Sequence, residues 1–375
     1  MTRQERCLAA IGGRSVDRPP RYIPGIACEV SSKILGRSVN TGAGSLMYAE
    51  ACTWLKGESA HAEFEAKLFE DLAAVFRALD IDVYRMPWRE RRKPARRLDE
   101  FAFLYGDAEG AYSIYEYNPE SADFGLVKAV NPSARPYAEQ ARQAIAAQEC
   151  AITQGALDNF QVPDEHRAIC SRYGQEFFVV SNGGGISLGM DAEALMFLAS
   201  EPAWAARAVM NQARQAIALG QALRRAELPK VLIAGGDLAG QNGPFYSPET
   251  LRQVMLPAII QAMRALRELG AHYVFRSDGN LWPIADMLFR EAACPGYGEV
   301  DREAGMTVGA LRKKYPQLVL WGNMSSARLA WESAEWVRAQ TRKIVAESGG
   351  TAYFHGPSNA IIKGTPPENV VAMFF

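Results

Sequence analysis

Apolar residues along the chain follow two periods. Short runs of β-branched and aromatic residues recur at residues 21–26, 82–86, 177–181, 230–234, 272–276, 296–300, 318–321 and 351–355. Most are closed by Gly, Asp or Asn, which end strands. Between several of them the apolar residues repeat every three or four positions, as one face of a helix does. Ser247-Pro248-Glu249 starts such a stretch, with Ser as N-cap and Pro at the first helical position. Leu251, Val254, Met255, Ile259, Met263 and Leu266 then share one stripe, which ends at Gly270. Residues 202–223 and 327–348 read as further long helices. Eight strand-like runs alternating with helices predict an α/β fold, a parallel sheet closed into a single (β/α)8 TIM barrel over residues 1–375. An open doubly wound sheet is the alternative.

One region breaks the alternation. Residues 101–105 and 112–117 alternate aromatic and β-branched residues around Gly106-Asp107-Ala108-Glu109-Gly110, which predicts a β-hairpin inserted between strands 2 and 3. Before it, Arg89, Arg91, Arg92, Lys93, Arg96 and Arg97 form a basic run. It is either a solvated loop edge or a clamp for an acidic substrate or partner.

Composition narrows the class. The 375 residues are 48% hydrophobic and 22% charged with a net charge of -1, so neither disorder nor nucleic-acid binding is expected. No apolar run is long enough to cross a bilayer, and Met1-Thr2-Arg3-Gln4-Glu5-Arg6 lacks the features of a signal peptide. Cysteines at 7, 28, 52, 150, 170 and 294 form no CxxC pair. These features predict a soluble cytoplasmic protein. No GxGxxG follows the first strand, no GK[ST] follows Gly183-Gly184-Gly185, and no GxSxG elbow occurs.

Barrel chemistry sits at the C-terminal strand ends. The predicted ends carry Asp237 with Gln241, Arg276 with Asp278 and Asn280, then Tyr297 with Glu299 and Asp301, Asn323, and His355 with Asn359. Trp282, Trp321, Phe245 and Tyr297 are candidates to wall a cavity. Several have structural alternatives. Asp237 and Asp278 suit turns, Arg276 can pair with a carboxylate inside the barrel, Asn323 can bind backbone, and His355 can be a satisfied buried histidine. His272 and Cys294 lie at the start of their strands, so the spacing does not support a three-ligand zinc site.

From Arg6 to Met373 the chain resembles the uroporphyrinogen decarboxylase superfamily. The resemblance rests on Glu5-Arg6-Cys7-Leu8-Ala9-Ala10-Ile11 with Asp17-Arg18-Pro19-Pro20 at the start. Trp321-Gly322-Asn323-Met324 and Gly364-Thr365-Pro366-Pro367-Glu368-Asn369-Val370 carry it at the end. Asp237-Leu238-Ala239, Ser247-Pro248-Glu249 and Ser277-Asp278-Gly279-Asn280 resemble the corrinoid (cobalamin-dependent) methyltransferase-like branch. The resemblance implies the same barrel, with its active site in the C-terminal mouth.

The departures shape what it implies for function. The arginine-rich segment that holds a porphyrinogen's carboxylates corresponds to residues 21–29, which keep little of it, and the family histidine falls at about Asn359. The His-x-Cys zinc pair of thiol-methylating members reads Arg276-Ser277-Asp278, and their later Cys is absent. The resemblance therefore implies transfer of a methyl group between a small-molecule donor and a corrinoid protein. In that role Asp237, Asp278 or Glu299 protonates the leaving atom. Arg276, Asn280, Gln241, Trp282, Tyr297, Asn323, His355 and Asn359 bind substrate. A tetrapyrrole lyase and a non-catalytic corrinoid- or tetrapyrrole-binding protein are the alternatives.

Overall fold

The computed structural model describes residues 1–133 and 135–375. They form two compact units, one of Ile23–Ala134, Ser326–Thr341 and Asn359–Phe375, the other of Met1–Tyr22, Arg135–Ser325 and Arg342–Ser358.

The first unit holds strands β1 (Val83–Tyr84), β2 (Arg96–Arg97), β3 (Ala102–Gly106), β4 (Tyr112–Asn118) and β5 (Asp123–Val130). Strands β2 to β5 form one antiparallel sheet in chain order. The expected hairpin is its β3–β4 pair, with Phe103 opposite Tyr115 and Tyr105 opposite Ser113. Gly106, at φ +96°, turns the chain where a side chain would be strained. One sheet face buries Phe103, Tyr105 and Phe124 against Met47 and Ala51 of the helix Ala43–Trp54. Each buried aromatic contributes roughly 1.5–3 kcal/mol of transfer free energy. The helix comes so close that a Cβ on Gly44 would lie 2.3 Å from the Ala122 carbonyl oxygen. Of the basic run, Arg91, Arg92, Lys93, Arg96 and Arg97 are exposed, as a solvated edge is, and Arg89 departs from it. Arg89 is buried on Glu50 and Glu65, while Arg92 bonds Glu90.

The second unit holds β6 (Phe178–Val179), β7 (Val231–Gly235), β8 (Ala239–Gly240), β9 (Gly243–Pro244), β10 (His272–Arg276), β11 (Gly296–Val300), β12 (Val319–Gly322) and β13 (Tyr353–Phe354). Five of them form a parallel sheet in the order β13-β12-β11-β10-β7. It continues through a parallel bridge from Ser181 to Leu232 at one edge and from Arg21 to His355 at the other. Every residue of β11 and β12 is buried, as expected of a parallel sheet covered on both faces. Helices Pro202–Arg225 and Leu256–Glu268 bury apolar stripes. The single helix expected from Ser247 onward is two, Pro248–Val254 and Leu256–Glu268. Pro257 has no N–H for the i−4 carbonyl, so the ladder breaks there. The stretch expected as one helix at 327–348 is likewise two, Ser326–Trp331 and Ala334–Glu347, with Ser333 capping the Trp336 amide at 3.2 Å.

Candidate active site at the strand ends

In-register residues on neighbouring parallel strands share a face and are about 4.8 Å apart. Arg276 of β10 is in register with Gly235 of β7 and Gly298 of β11. Gly298 is in register with Trp321 of β12, and Trp321 with Phe354 of β13. One row therefore reads Gly235, Arg276, Gly298, Trp321, Phe354, with no side chain on either side of the arginine. Trp321 stacks on Phe354 at 3.5 Å between ring centroids, and Tyr22 meets it edge-on at 5.1 Å. The indole Nε1 of Trp321 is buried without a hydrogen-bond partner.

Glu299 reaches this row through an irregularity. The β11–β12 register shifts between Gly298 and Val300, making Glu299 the extra residue of a bulge, and its φ is +62°. A non-glycine residue held there costs of order 1–3 kcal/mol, and such strain gathers at functional sites. The result is a buried carboxylate whose two oxygens accept from Arg276 Nη1 at 2.8 and 3.0 Å. Asp237 lies 4.0 Å from the same nitrogen and is 44% exposed, against 4% for Glu299. Burial works against the charge of Arg276, but Glu299, with Asp237 and Tyr22, holds its pKa above the ordinary arginine value. The set is a fixed guanidinium between two carboxylates, open to solvent on the Asp237 side.

The loops after β7 and β10 are locked together. Ser277, fully buried, accepts from the Leu238 amide at 3.0 Å and donates to the Asp278 carbonyl at 3.0 Å. The Asn280 amide donates to the Gly240 carbonyl at 2.9 Å. Gly279, at φ +76°, lets the loops touch, since a Cβ there would lie 2.4 Å from the Ala239 carbonyl oxygen. Sequence reasoning missed Ser277 and Tyr22. Ser277 lay inside a motif read for its neighbours.

Other candidates are placed as follows. Asp278 is half-buried. Tyr297 is fully buried with an unpartnered hydroxyl; burial, then Asp301, Asp278 and Glu299, hold its pKa well above the usual phenol value. Gln241 is exposed in the turn between β8 and β9. Asn280 accepts from the Trp282 amide at 3.1 Å, and Trp282 donates to the Gly305 carbonyl at 3.1 Å. Asn323, at φ +94°, donates to the Val300 and Met306 carbonyls and accepts from the Val308 amide, bracing the loop after β11. His355 is buried, its Nδ1 2.9 Å from the Tyr353 hydroxyl. Asn359 belongs to the first unit, exposed and hydrogen-bonded to Ser326. The structure thus gathers Asp237, Arg276 and Glu299, with Asp278 and Tyr297 in the same field. It commits Asn323 to backbone and His355 to Tyr353.

Zinc does not fit this set. Among the described residues, the one group of His, Cys, Asp and Glu atoms close enough to share an ion is Glu50, His61 and Glu65. Arg89 bonds both of those carboxylates and already supplies the cation. At the strand ends the guanidinium of Arg276 does the same.

The parallel sheet thus carries a charged, strained set at the C-terminal ends of its strands. Residues 192–374 match the family model of uroporphyrinogen decarboxylase (URO-D). The solved structure of a methyltransferase from Methanosarcina mazei matches 100% of this chain and 97% of its own, at 17% identity and a TM-score of 0.63, a likeness of fold. No curated protein sequence matches the chain. Among the described residues no helix is long and apolar enough to cross a membrane.

Proposed function

We propose that the protein is a cytoplasmic methyltransferase of the uroporphyrinogen decarboxylase superfamily, built on a closed (β/α)8 barrel with the β2–β5 sheet as an insertion. It takes a methyl group from a small-molecule donor and passes it to a corrinoid protein. The observation that carries this reading is the Asp237–Arg276–Glu299 set at the C-terminal strand ends, inside the stretch that matches the family. A corrinoid, held by the partner, supplies the nucleophilic acceptor. This chain binds and orients the donor, and its own acids serve the leaving atom.

The pairing of Arg276 supports a reading of the donor's charge. Arg276 spends its charge on Glu299 and Asp237, so it offers little to an anion. Together these three groups carry a formal charge of about -1, which favours a neutral or cationic donor such as a methyl ether or methylated amine. When the carbon–oxygen or carbon–nitrogen bond breaks, its electron pair stays on the heteroatom, which takes a proton if it leaves as an alkoxide or amide-like anion. Asp237, exposed to solvent, and the half-buried Asp278 would pass it a proton taken up from solvent; such help is worth about 10²–10⁴ in rate. The same pairing disfavours a porphyrinogen, whose eight carboxylates need several free cations.

The test supplies a corrinoid protein with aryl methyl ethers, methylated amines and methoxylated acids, and follows methyl transfer by mass spectrometry. Turnover of neutral or cationic donors is the expected result. Decarboxylation of uroporphyrinogen, with no methyl transfer from any donor, would overturn the proposal in favour of a lyase.

A further inference from the structure

The opposite end of the parallel sheet has the reverse charge. A groove of about 500 Å³ opens where β11 and β12 begin, and Arg267, Phe289, Arg290, Cys294, Lys314 and Tyr315 are among the residues that line it. Its cations come from three separate segments. Arg267 lies in the last turn of Leu256–Glu268, Arg290 in that of Met287–Glu291, and Lys314 closes Val308–Lys314. Helix C-termini favour cations, so the backbone keeps these charges in place.

The carboxylates nearby do not balance them. Asp286 serves Arg290 at 3.3 Å and Lys314 at 3.2 Å, and accepts from the Tyr315 hydroxyl at 2.8 Å. Glu291 is held by Arg252 at 2.6 Å, and Glu268 by Arg264 at 3.4 Å. Arg267 donates to the Ala293 carbonyl at 3.3 Å, and among the described residues no carboxylate lies within ion-pair distance of it. Arg312 stands behind the groove. Its two Nη atoms bond the carbonyls of Pro316, Leu318, Thr351 and Ala352 at 2.8–3.0 Å, dipoles rather than charges. Three cations thus line the groove with one carboxylate, Asp286, between two of them, in a chain whose net charge is -1. Arg290 and Lys314 each lie 5.3 Å from the Tyr315 ring centroid, so an aromatic wall backs the charges.

A concave volume of this size suits a small molecule. A surplus of two positive charges suits a ligand with several negative charges on compact oxygens, which arginine and lysine bind by charge-assisted hydrogen bonds. We propose that this groove is a second binding site, for a small phosphate-bearing polyanion of the diphosphate type. It lies at the end of the sheet that α/β enzymes do not use for chemistry, so its ligand regulates or stabilises the protein and does not react. The proposal does not depend on the methyl-transfer reading.

The test is calorimetric titration of the full chain with inorganic pyrophosphate, and separately with ADP, at physiological salt. Saturable one-to-one binding is expected, weakened at least tenfold in Arg267→Ala and in Lys314→Ala. Arg264→Ala, which removes an exposed arginine already paired with Glu268, is expected to bind as the parent does. Thermal melting without ligand checks that each variant is folded; Arg267 is exposed, so its variant decides if Lys314→Ala is not. Tighter binding of ADP identifies a nucleotide as the source of the phosphates, and equal binding identifies the phosphates alone. Absence of saturable binding of both probes would overturn the proposal. So would binding that survives Arg267→Ala, or that is lost in Arg276→Met instead.

Discussion

The two ends of one parallel sheet carry opposite chemistry. At the C-terminal ends, a single guanidinium is held between Glu299 and Asp237, with Asp278 close by. At the N-terminal ends of β11 and β12, Arg267, Arg290 and Lys314 line one groove, and Arg290 and Lys314 share one carboxylate, Asp286. The difference shows how the same side chain serves two purposes. Arg276 is fixed and neutralised, a scaffold for carboxylates, whereas Arg267 keeps a charge to offer. Counting arginines in the sequence does not separate the two. Only their partners do.

The largest expected effect comes from breaking the strand-end pair. Arg276→Met removes the guanidinium from which both oxygens of the buried Glu299 accept, which should cost about 3 kcal/mol of stability by urea denaturation and abolish methyl transfer. Arg276→Met combined with Glu299→Leu should regain much of the stability and none of the activity, separating the pair's structural role from its chemical one.

Asp237→Asn sharpens the contrast at lower structural cost. The exposed carboxylate is lost, so turnover should fall about 10²–10⁴-fold while stability changes by less than about 0.5 kcal/mol. Gly279→Ala should cost about 2 kcal/mol, because φ +76° and the Ala239 carbonyl both oppose a Cβ, and it should lower turnover by parting the two loops.

A pH dependence tests the burial of two histidines. Burial lowers the pKa of His166 and of His272 to about 4, from 6.5. Between these values the unfolded chain binds protons that the folded chain refuses, so stability rises with pH across that window. Urea midpoints should therefore be highest above pH 6.5 and decline as pH falls toward 4, with a smaller decline in His166→Asn. A midpoint that rises on acidification across this range would contradict the burial of both rings.

Much of the parallel sheet was legible in the sequence. The runs at 272–276 and 296–300 coincide with β10 and β11, because aromatic and β-branched residues bounded by turn residues mark strands. The β3–β4 hairpin followed from its alternating aromatics. Strand β5 was not legible, since most of it is exposed and no alternation marks it. The Glu299 bulge escaped for a different reason: a period-2 pattern carries no sign of φ. The pairing of Arg276 was open between substrate and carboxylate until the bulge placed Glu299 against it. The groove was invisible because Arg267, Arg290 and Lys314 are far apart along the chain and meet only in the fold.

The most direct measurement is the turnover of Asp237→Asn and Asp278→Asn with the best donor and a corrinoid protein as acceptor, against the parent chain. A fall of at least a hundredfold in one of the two, with folding intact by thermal melting, is the predicted result. Unchanged turnover in both variants would contradict the placement of the chemistry at these strand ends.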